Sequence, residues 1–310
     1  MQTRKVPQIL SNKPNTSEVY LAKFNSLLHF TDYIKTLWNY YKTYKNFLEI
    51  IKAKATNKFP LEAELRTGNK VYLSNPEVAY SYTIFYNSKL KILEMSEEFI
   101  TFVFEGHYLK FYGWKFGGII DAFIFRQYDS LNVEDKVVVD IGANIGDTAI
   151  YFALRGAKKV IAFEPFPNIF ELARKNVEEN GLQDKIDLVH AGCGYDGKIR
   201  LRESIETGID IQLTDNGTEI EVPVYSLNTI VRMFEVDNAV LKVDCEGCEY
   251  ELFRTATDNT LSKFDQIIIE YHYGYKDLIK RLTKARFNVK HSMPKYTKGG
   301  MVLGNILAWK

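Results

Sequence analysis

The chain has 310 residues, 46% of them hydrophobic and 25% charged, with a formal net charge of +1 at pH 7. That composition excludes disordered, collagen-like and small disulfide-scaffold proteins, and near neutrality argues against a surface built to blanket a polyanion. The average conceals an asymmetry: residues 1–60 carry 10 basic residues against 3 acidic ones, a net of +7, which leaves −6 for the remainder.

Three cysteines, Cys193, Cys245 and Cys248, are too few for a disulfide framework; they suit a reducing compartment and read as buried apolar thiols. There is no apolar run of about 18 residues, and the first ten residues lack the apolar stretch of a signal peptide. The expectation is a cytoplasmic chain with no transmembrane segment.

From Glu18 to Ala55, apolar residues recur at helical spacing, and Pro60 closes the pattern. Residues 1–60 are thus expected to form a basic, aromatic helical region. The period then changes to alternation. Leu61, Ala63 and Leu65 lead through a Gly-Asn turn to Val71 and Leu73, and Ile100, Phe102 and Phe104 turn at Glu105-Gly106 into Leu109 and Phe111. Residues 61–130 therefore read as a β-rich accessory segment.

From Lys136 onward, strands and helices alternate. Expected strands are Val137–Ile141, Val160–Glu164, Ile186–His190, Ala239–Asp244 and Gln266–Tyr271; expected helices cover Asp147–Leu154, about Asn168–Asn180 and about Lys276–Ala285. Residues 195–225 read as inserted hairpin strands, Ser226 as the cap of a short helix, and the C-terminal stretches as a closing strand pair. Residues 131–310 are accordingly an α/β domain with a doubly wound sheet.

Strand, glycine turn and helix start follow one another at Asp140-Ile141-Gly142-Ala143-Asn144-Ile145-Gly146-Asp147-Thr148. Glu164 lies 24 residues after Asp140, at the end of the next strand, where a carboxylate can accept both ribose hydroxyls of an adenosine. Dinucleotide loops place three glycines against a pyrophosphate; here Asn144 replaces the middle glycine, and Asp140 and Asp147 flank the loop. Two carboxylates repel a pyrophosphate but suit a ligand bearing ammonium and sulfonium charges, S-adenosyl-L-methionine.

With these residues the sequence resembles class I S-adenosylmethionine-dependent methyltransferases, and more narrowly the FkbM family. The resemblance is carried by Val139 to Asp147, by Phe163-Glu164-Pro165, by Leu241-Lys242-Val243-Asp244-Cys245-Glu246-Gly247-Cys248-Glu249 and by Ile268-Ile269-Glu270. It implies a Rossmann-like seven-stranded sheet, with cofactor contacts from Asp140, Gly142, Asn144, Gly146, Asp147, Thr148, Glu164 and Pro165. It also implies chemistry near Asp244, Glu246 and Glu270, on hydroxyl groups of sugars or natural products.

A sugar hydroxyl needs a group to take its proton, and ligands bind outside the carboxyl ends of the strands. Asp244, Glu246, Glu270 and His272 map there, with Asp244 the first candidate for base or acceptor anchor. The same groups could hold Mg²⁺, but nothing in the spacing demands a metal, so direct assistance is preferred. Lys242 and Glu249 read as structural ion-pairing residues, and His29, His107 and His190 as ordinary histidines. The basic, aromatic N-terminus reads as an amphipathic helix packed on the β-rich segment, in preference to a docking arm for a polyanion or lipid carrier.

The preferred reading is an enzyme that O-methylates a small-molecule or glycan acceptor. An RNA methyltransferase is disfavoured by the negative catalytic half and by the lack of an N-P-P-Y-type motif, so nucleic acid is not the expected partner. A non-catalytic scaffold is disfavoured by the number of retained site-type residues.

Overall fold

A computed structural model describes residues 14–28, 30–115, 117–202, 219–297 and 299–310. The basic residues Arg4, Lys5 and Lys13 and His29 lie outside them. The described residues group into two compact units, one comprising Leu28–Gln127 and the other comprising the chain up to Leu27 together with Tyr128–Lys310. The grouping differs from the three segments expected from sequence, because the first helix belongs with the C-terminal sheet domain.

The periodic stretch is broken into three helices, α1 (Thr16–Leu28), α2 (Phe30–Thr43) and α3 (Phe47–Thr56). In the smaller unit, α3 is followed by the hairpin β1 (Leu61–Glu64) and β2 (Lys70–Leu73), paired Leu61 to Leu73 as the alternation predicts. Next comes α4 (Pro76–Asn87), then the sheet of β3 (Lys91–Met95), β4 (Phe99–Phe104) and β5 (His107–Tyr112). Helix α4 is an addition to the β-rich segment of hairpins expected from the alternation. The Asn75 side chain accepts from the Val78 N–H and Pro76 opens the first turn, a helix start that alternation-based reading passes over. Tyr40 and Tyr44 are buried, the Tyr44 hydroxyl donating to the Ala79 carbonyl, whereas Ile34, Leu37, Trp38 and Tyr41 are exposed on α2. Only part of the aromatic face packs inward.

The larger unit is built on one sheet. Its strands are β6 (Val137–Ile141), β7 (Lys159–Phe163), β8 (Ile186–Val189), β12 (Ala239–Val243), β13 (Phe264–Tyr271), β14 (Asn288–His291) and β16 (Val302–Trp309), in the order β14-β16-β13-β12-β6-β7-β8. A two-residue strand, β15 (Lys295–Tyr296), adds an eighth against β16. β6, β7, β8, β12 and β13 run parallel, and β16 is antiparallel to β13 and β14. Between β8 and β12 the chain forms β9 (Gly192–Gly194), β10 (Gly197–Arg202) and β11 (Glu219–Ser226), of which β10 and β11 make the expected hairpin. Helices α5 (Asp147–Leu154) and α6 (Pro167–Glu179) follow β6 and β7; α7 (Leu227–Met233), capped by Ser226, precedes β12; α8 (Glu249–Thr255), α9 (Asp258–Leu261) and α10 (Lys276–Lys284) complete the layers.

All five residues of β12 and four of five in β6 and β7 are buried, which is why these strands are apolar runs with no alternation. From β6 the chain winds outward through β7 and β8, then returns to the other side of β6 at β12. The β6–β12 boundary is thus the topological switch point, and the crevice outside their carboxyl ends is where such sheets bind ligands. Helix α1 is tied to this unit by one buried carboxylate. Glu18 accepts from the N–H groups of Tyr275 and Lys276 at 2.8 and 3.1 Å, serving the otherwise unpartnered first turn of α10. Among the described residues no helix is long and apolar enough to cross a membrane.

Candidate active site

The glycine loop leaves β6 through three left-handed residues, Gly142 (φ 78°), Asn144 (φ 48°) and Gly146 (φ 82°). The N–H groups of Gly142 and Ala143 both donate to the Phe163 carbonyl on β7, which folds the loop over the sheet edge. Gly142 is required twice over, because a Cβ there would lie 1.7 Å from the Asp244 carbonyl oxygen. That contact joins the loop after β6 to the loop after β12 at the switch point. Gly142→Ala is expected to push these two loops apart and to cost more than about 2 kcal/mol of stability, from the strained φ and the overlap together. Chemical denaturation checks this; a loss below about 0.5 kcal/mol would mean that the loops are not in contact as described.

Asp140 is fully buried, and its two oxygens are engaged within the protein. One accepts from the Thr148 hydroxyl at 2.6 Å, and the other lies 3.0 Å from Lys242 Nζ, which also donates to the Gly142 carbonyl at 2.7 Å. Lys242 and Asp140 are register partners across β12 and β6, so sheet pairing itself brings them together. The sequence expectation that Asp140 offers its charge to a cationic ligand is revised accordingly. Its charge is balanced by Lys242, and its work is to brace the loop. Asp147 and Thr148 are buried in the first turn of α5, and Asn176 of α6 donates to the Ile145 carbonyl at 2.9 Å.

Glu164 follows β7 directly, beside this loop. Its oxygens accept from the N–H of Asn144 at 3.0 Å and of Phe166 at 2.9 Å. Burial nonetheless raises its pKa to about 7, outweighing those two hydrogen bonds and the attraction of Lys242. Pro165 follows half-buried, its carbonyl 3.0 Å from the His190 ring, which stacks on Phe170. His190 is therefore a packing residue.

Across the crevice, ligand-type atoms of Asp244, Glu246 and His272 lie within 4.8 Å of one another. Asp244 follows β12, and His272 follows β13. The His272 Nε2 is 3.3 Å from Glu246 Oε2 and 3.8 Å from Asp244 Oδ1. Its Nδ1 is 3.0 Å from Glu249 Oε1, and the same oxygen accepts the His272 backbone N–H at 3.1 Å. Glu249 Oε2 accepts the Gly247 N–H at 2.8 Å, so this fully buried carboxylate fixes both the imidazole and the loop that carries Glu246. Burial lowers the His272 pKa but is outweighed by Glu249, Glu246 and Asp244, which raise it to about 9. At neutral pH His272 is then an imidazolium that holds two carboxylates, not a base. Glu246 itself sits at φ 55° with its side chain largely exposed, and partial desolvation raises its pKa. Glu270, on β13 two residues before His272, is half-buried and lies outside the triplet.

Two residues enter this picture that sequence reasoning placed elsewhere or passed over. Glu249, expected as a structural ion-pairing residue, is the brace of His272. Tyr128 is buried, and its hydroxyl is held protonated by that burial and by the fields of Asp244, Glu270, Asp140 and Asp147. The cysteine expectation is corrected as well: Cys245 and Cys248 form a disulfide, and only Cys193 is a free thiol. The two-residue spacing within one tight loop is what allows the bridge, and it encloses Glu246 and Gly247 in a short ring.

Residues 140–289 match the family described as Methyltransferase FkbM domain. The chain carries an FkbM methyltransferase domain. The FkbM domain runs from Asp140, at the glycine loop, to Val289 on β14, and so includes both sides of the crevice. Over 159 residues, 50% of its length, the chain is 27% identical to uncharacterized protein 158B of Sulfolobus islandicus rod-shaped virus 1, covering 74% of that protein. Ribosomal protein L11 methyltransferase of Escherichia coli O8 (strain IAI1) is 38% identical over 60 residues, 19% of this chain and 20% of the relative, so the likeness spans about a fifth of that enzyme. Among solved structures, M. jannaschii TYW2 in complex with AdoMet aligns with a TM-score of 0.40 at 17% identity, over 70% of this chain and 88% of that one. M. capricolum TrmK in complex with S-adenosyl-homocysteine aligns with a TM-score of 0.41 at 16% identity, over 60% and 66% of the two chains.

Proposed function

We propose that this protein is an S-adenosylmethionine-dependent O-methyltransferase acting on a small hydroxylated acceptor, sugars included. The observation that carries the reading is the convergence of Asp244, Glu246 and His272 at the switch point, directly across from the glycine loop. The site residues suit the cofactor in chemistry. Glu164 is a buried carboxylate with its pKa raised to about 7, a group that gains from hydroxyl donors or a nearby cation. The left-handed turn at Gly142 and Gly146 leaves backbone, not side chain, at the loop surface. Gly142, Asn144, Gly146, Asp147, Thr148, Glu164 and Pro165 would hold it, with Asp140 and Lys242 behind them. When bound, S-adenosylmethionine supplies a methyl group on a sulfonium, an electrophile that needs a well-aligned oxygen.

The chain's own contribution is alignment and proton removal. Asp244, half-exposed to the crevice, accepts the proton of the acceptor hydroxyl. His272, as imidazolium, holds Asp244 and Glu246 in place, and Glu249 holds His272. Tyr128, protonated, offers a donor within the fields of Asp244 and Glu270.

Calorimetric titration with S-adenosylhomocysteine tests the reading. Glu164→Ala is expected to weaken binding roughly 10- to 100-fold, the value of charge-assisted hydrogen bonds to two hydroxyls. Wild type should bind more tightly as pH rises through about 7, because the carboxylate form accepts both hydroxyls, and Glu164→Gln should flatten that dependence. The sign for the free protein is opposite. A carboxyl whose folded pKa lies above its unfolded one loses stability as pH rises from about 4.5 to about 7, so the ligand-free protein should become less stable over that range. Wild type that binds no S-adenosylhomocysteine, or Glu164→Ala that binds as well as wild type, would refute the reading.

A further inference from the structure

We propose that Asp244, Glu246 and His272 form a divalent-cation site of the transition-metal type, placed to bind an oxygen of the acceptor; this rests on the methyltransferase reading of the crevice. The donor set is one imidazole and two carboxylates, which favours Mn²⁺, Fe²⁺, Co²⁺ or Zn²⁺ over the all-oxygen shells that Mg²⁺ and Ca²⁺ prefer. The spacing suits one ion. Donors about 2.1 Å from a common centre lie roughly 3 to 4 Å apart, and Nε2 of His272 is 3.3 Å from Glu246 and 3.8 Å from Asp244.

The surroundings of His272 are those of a metal ligand. Its side chain is nearly fully buried, and Nδ1 is tied to the buried carboxylate of Glu249, which leaves Nε2 directed at the two other donors, where a bound cation displaces the proton that Nε2 carries in the metal-free protein. A carboxylate on the far nitrogen is the outer partner that orients ligating histidines and raises their basicity. Glu246 is presented from the ring closed by the Cys245–Cys248 disulfide, and its backbone is further held by the Gly247 N–H bond to Glu249. Two of the three donors remain open to the crevice, the side chains of Asp244 and Glu246 being 32% and 57% exposed. Three protein ligands leave coordination positions for two neighbouring oxygens of an acceptor, so a vicinal diol or hydroxy-carbonyl fits better than an isolated hydroxyl.

The test uses the full chain, oxidised and freed of metal with a chelator, titrated with Mn²⁺ by calorimetry and by electron paramagnetic resonance. One Mn²⁺ per chain is expected. His272→Ala and Glu246→Gln should each weaken it at least about tenfold, and Glu249→Gln should weaken it by roughly tenfold without removing a ligand. Glu171→Gln, an exposed carboxylate paired with Arg174 on α6, should leave it unchanged. Because His272 is buried, Glu246→Gln keeps the test decisive if His272→Ala fails to fold. Absence of Mn²⁺ binding to wild type, or equal binding in Glu246→Gln, overturns the metal site. S-adenosylhomocysteine binding, measured on the same samples, reports separately on the methyltransferase reading. Its persistence when Mn²⁺ binding is absent would sink the metal site alone.

Discussion

Lys242→Met should destabilise the protein by about 3 to 5 kcal/mol, the cost of leaving a buried carboxylate without its cation. Lys242 is 2% exposed and Asp140 fully buried, so water cannot replace the lost partner. The Gly142 carbonyl loses its donor in the same change. Asp140→Asn in the Lys242→Met background should recover much of the loss, because it removes the uncompensated charge. A double-mutant cycle by urea denaturation would therefore show coupling well above the few tenths of a kcal/mol seen for independent sites. The pH dependence follows from the direction of the lysine's shift. Burial pushes the Lys242 pKa down, but Asp140 and Asp244 push it up and prevail. A base whose folded pKa lies above the unfolded value contributes its full stability below the unfolded lysine range and loses it as pH rises through the folded value. Wild type should thus lose this contribution only in strongly alkaline solution, and Lys242→Met should lack that alkaline step. A stability loss below about 1 kcal/mol would show that the pair is dispensable to the fold.

The sheet and the glycine loop were legible because their signals are local. Buried parallel strands are continuous apolar runs, and Gly142 and Gly146 stand where the backbone turns left-handed. Strand order then brought Asp244, Glu246 and His272 together, since residues following neighbouring parallel strands share one end of the sheet. What escaped depended on facts a single sequence does not carry. The register that pairs Asp140 with Lys242 is set by β6 lying against β12, so Asp140 read as a ligand group and not as half of an ion pair. Glu249 read as a structural ion-pairing residue, but its partner is His272, which follows another strand and meets it only in the fold. The Cys245–Cys248 bridge was within reach of the two-residue spacing, but compartment reasoning from three cysteines overrode it. Helix α4 had its signal at Asn75-Pro76, hidden among alternating aromatics.

Asp244→Asn should lower kcat by about 10²- to 10⁴-fold, the usual contribution of a positioned proton acceptor. S-adenosylhomocysteine affinity should be roughly unchanged, because the contact of Asp244 with the glycine loop runs through its backbone carbonyl, which Asn keeps. The assay follows transfer of a labelled methyl group to hydroxyl-bearing fractions of cell extract, with acceptor held at saturation once a fraction responds. Asn keeps the size of the side chain and removes the ability to take a proton, so the rate falls without displacing the loop. His272→Gln is a different kind of change. It removes the imidazolium that pairs with Asp244 and Glu246, so both carboxylates lose a fixed position and KM should rise together with the fall in kcat. Glu249→Gln should resemble His272→Gln in direction and be milder, since the imidazole stays in the site and the amide oxygen can keep one of the two backbone bonds, to Gly247 or to His272. If Asp244→Asn retained full turnover while Glu270→Gln abolished it, the proton acceptor would be Glu270. The chemistry would then move from the end of β12 to β13, and the convergence of Asp244, Glu246 and His272 would no longer mark the reacting centre.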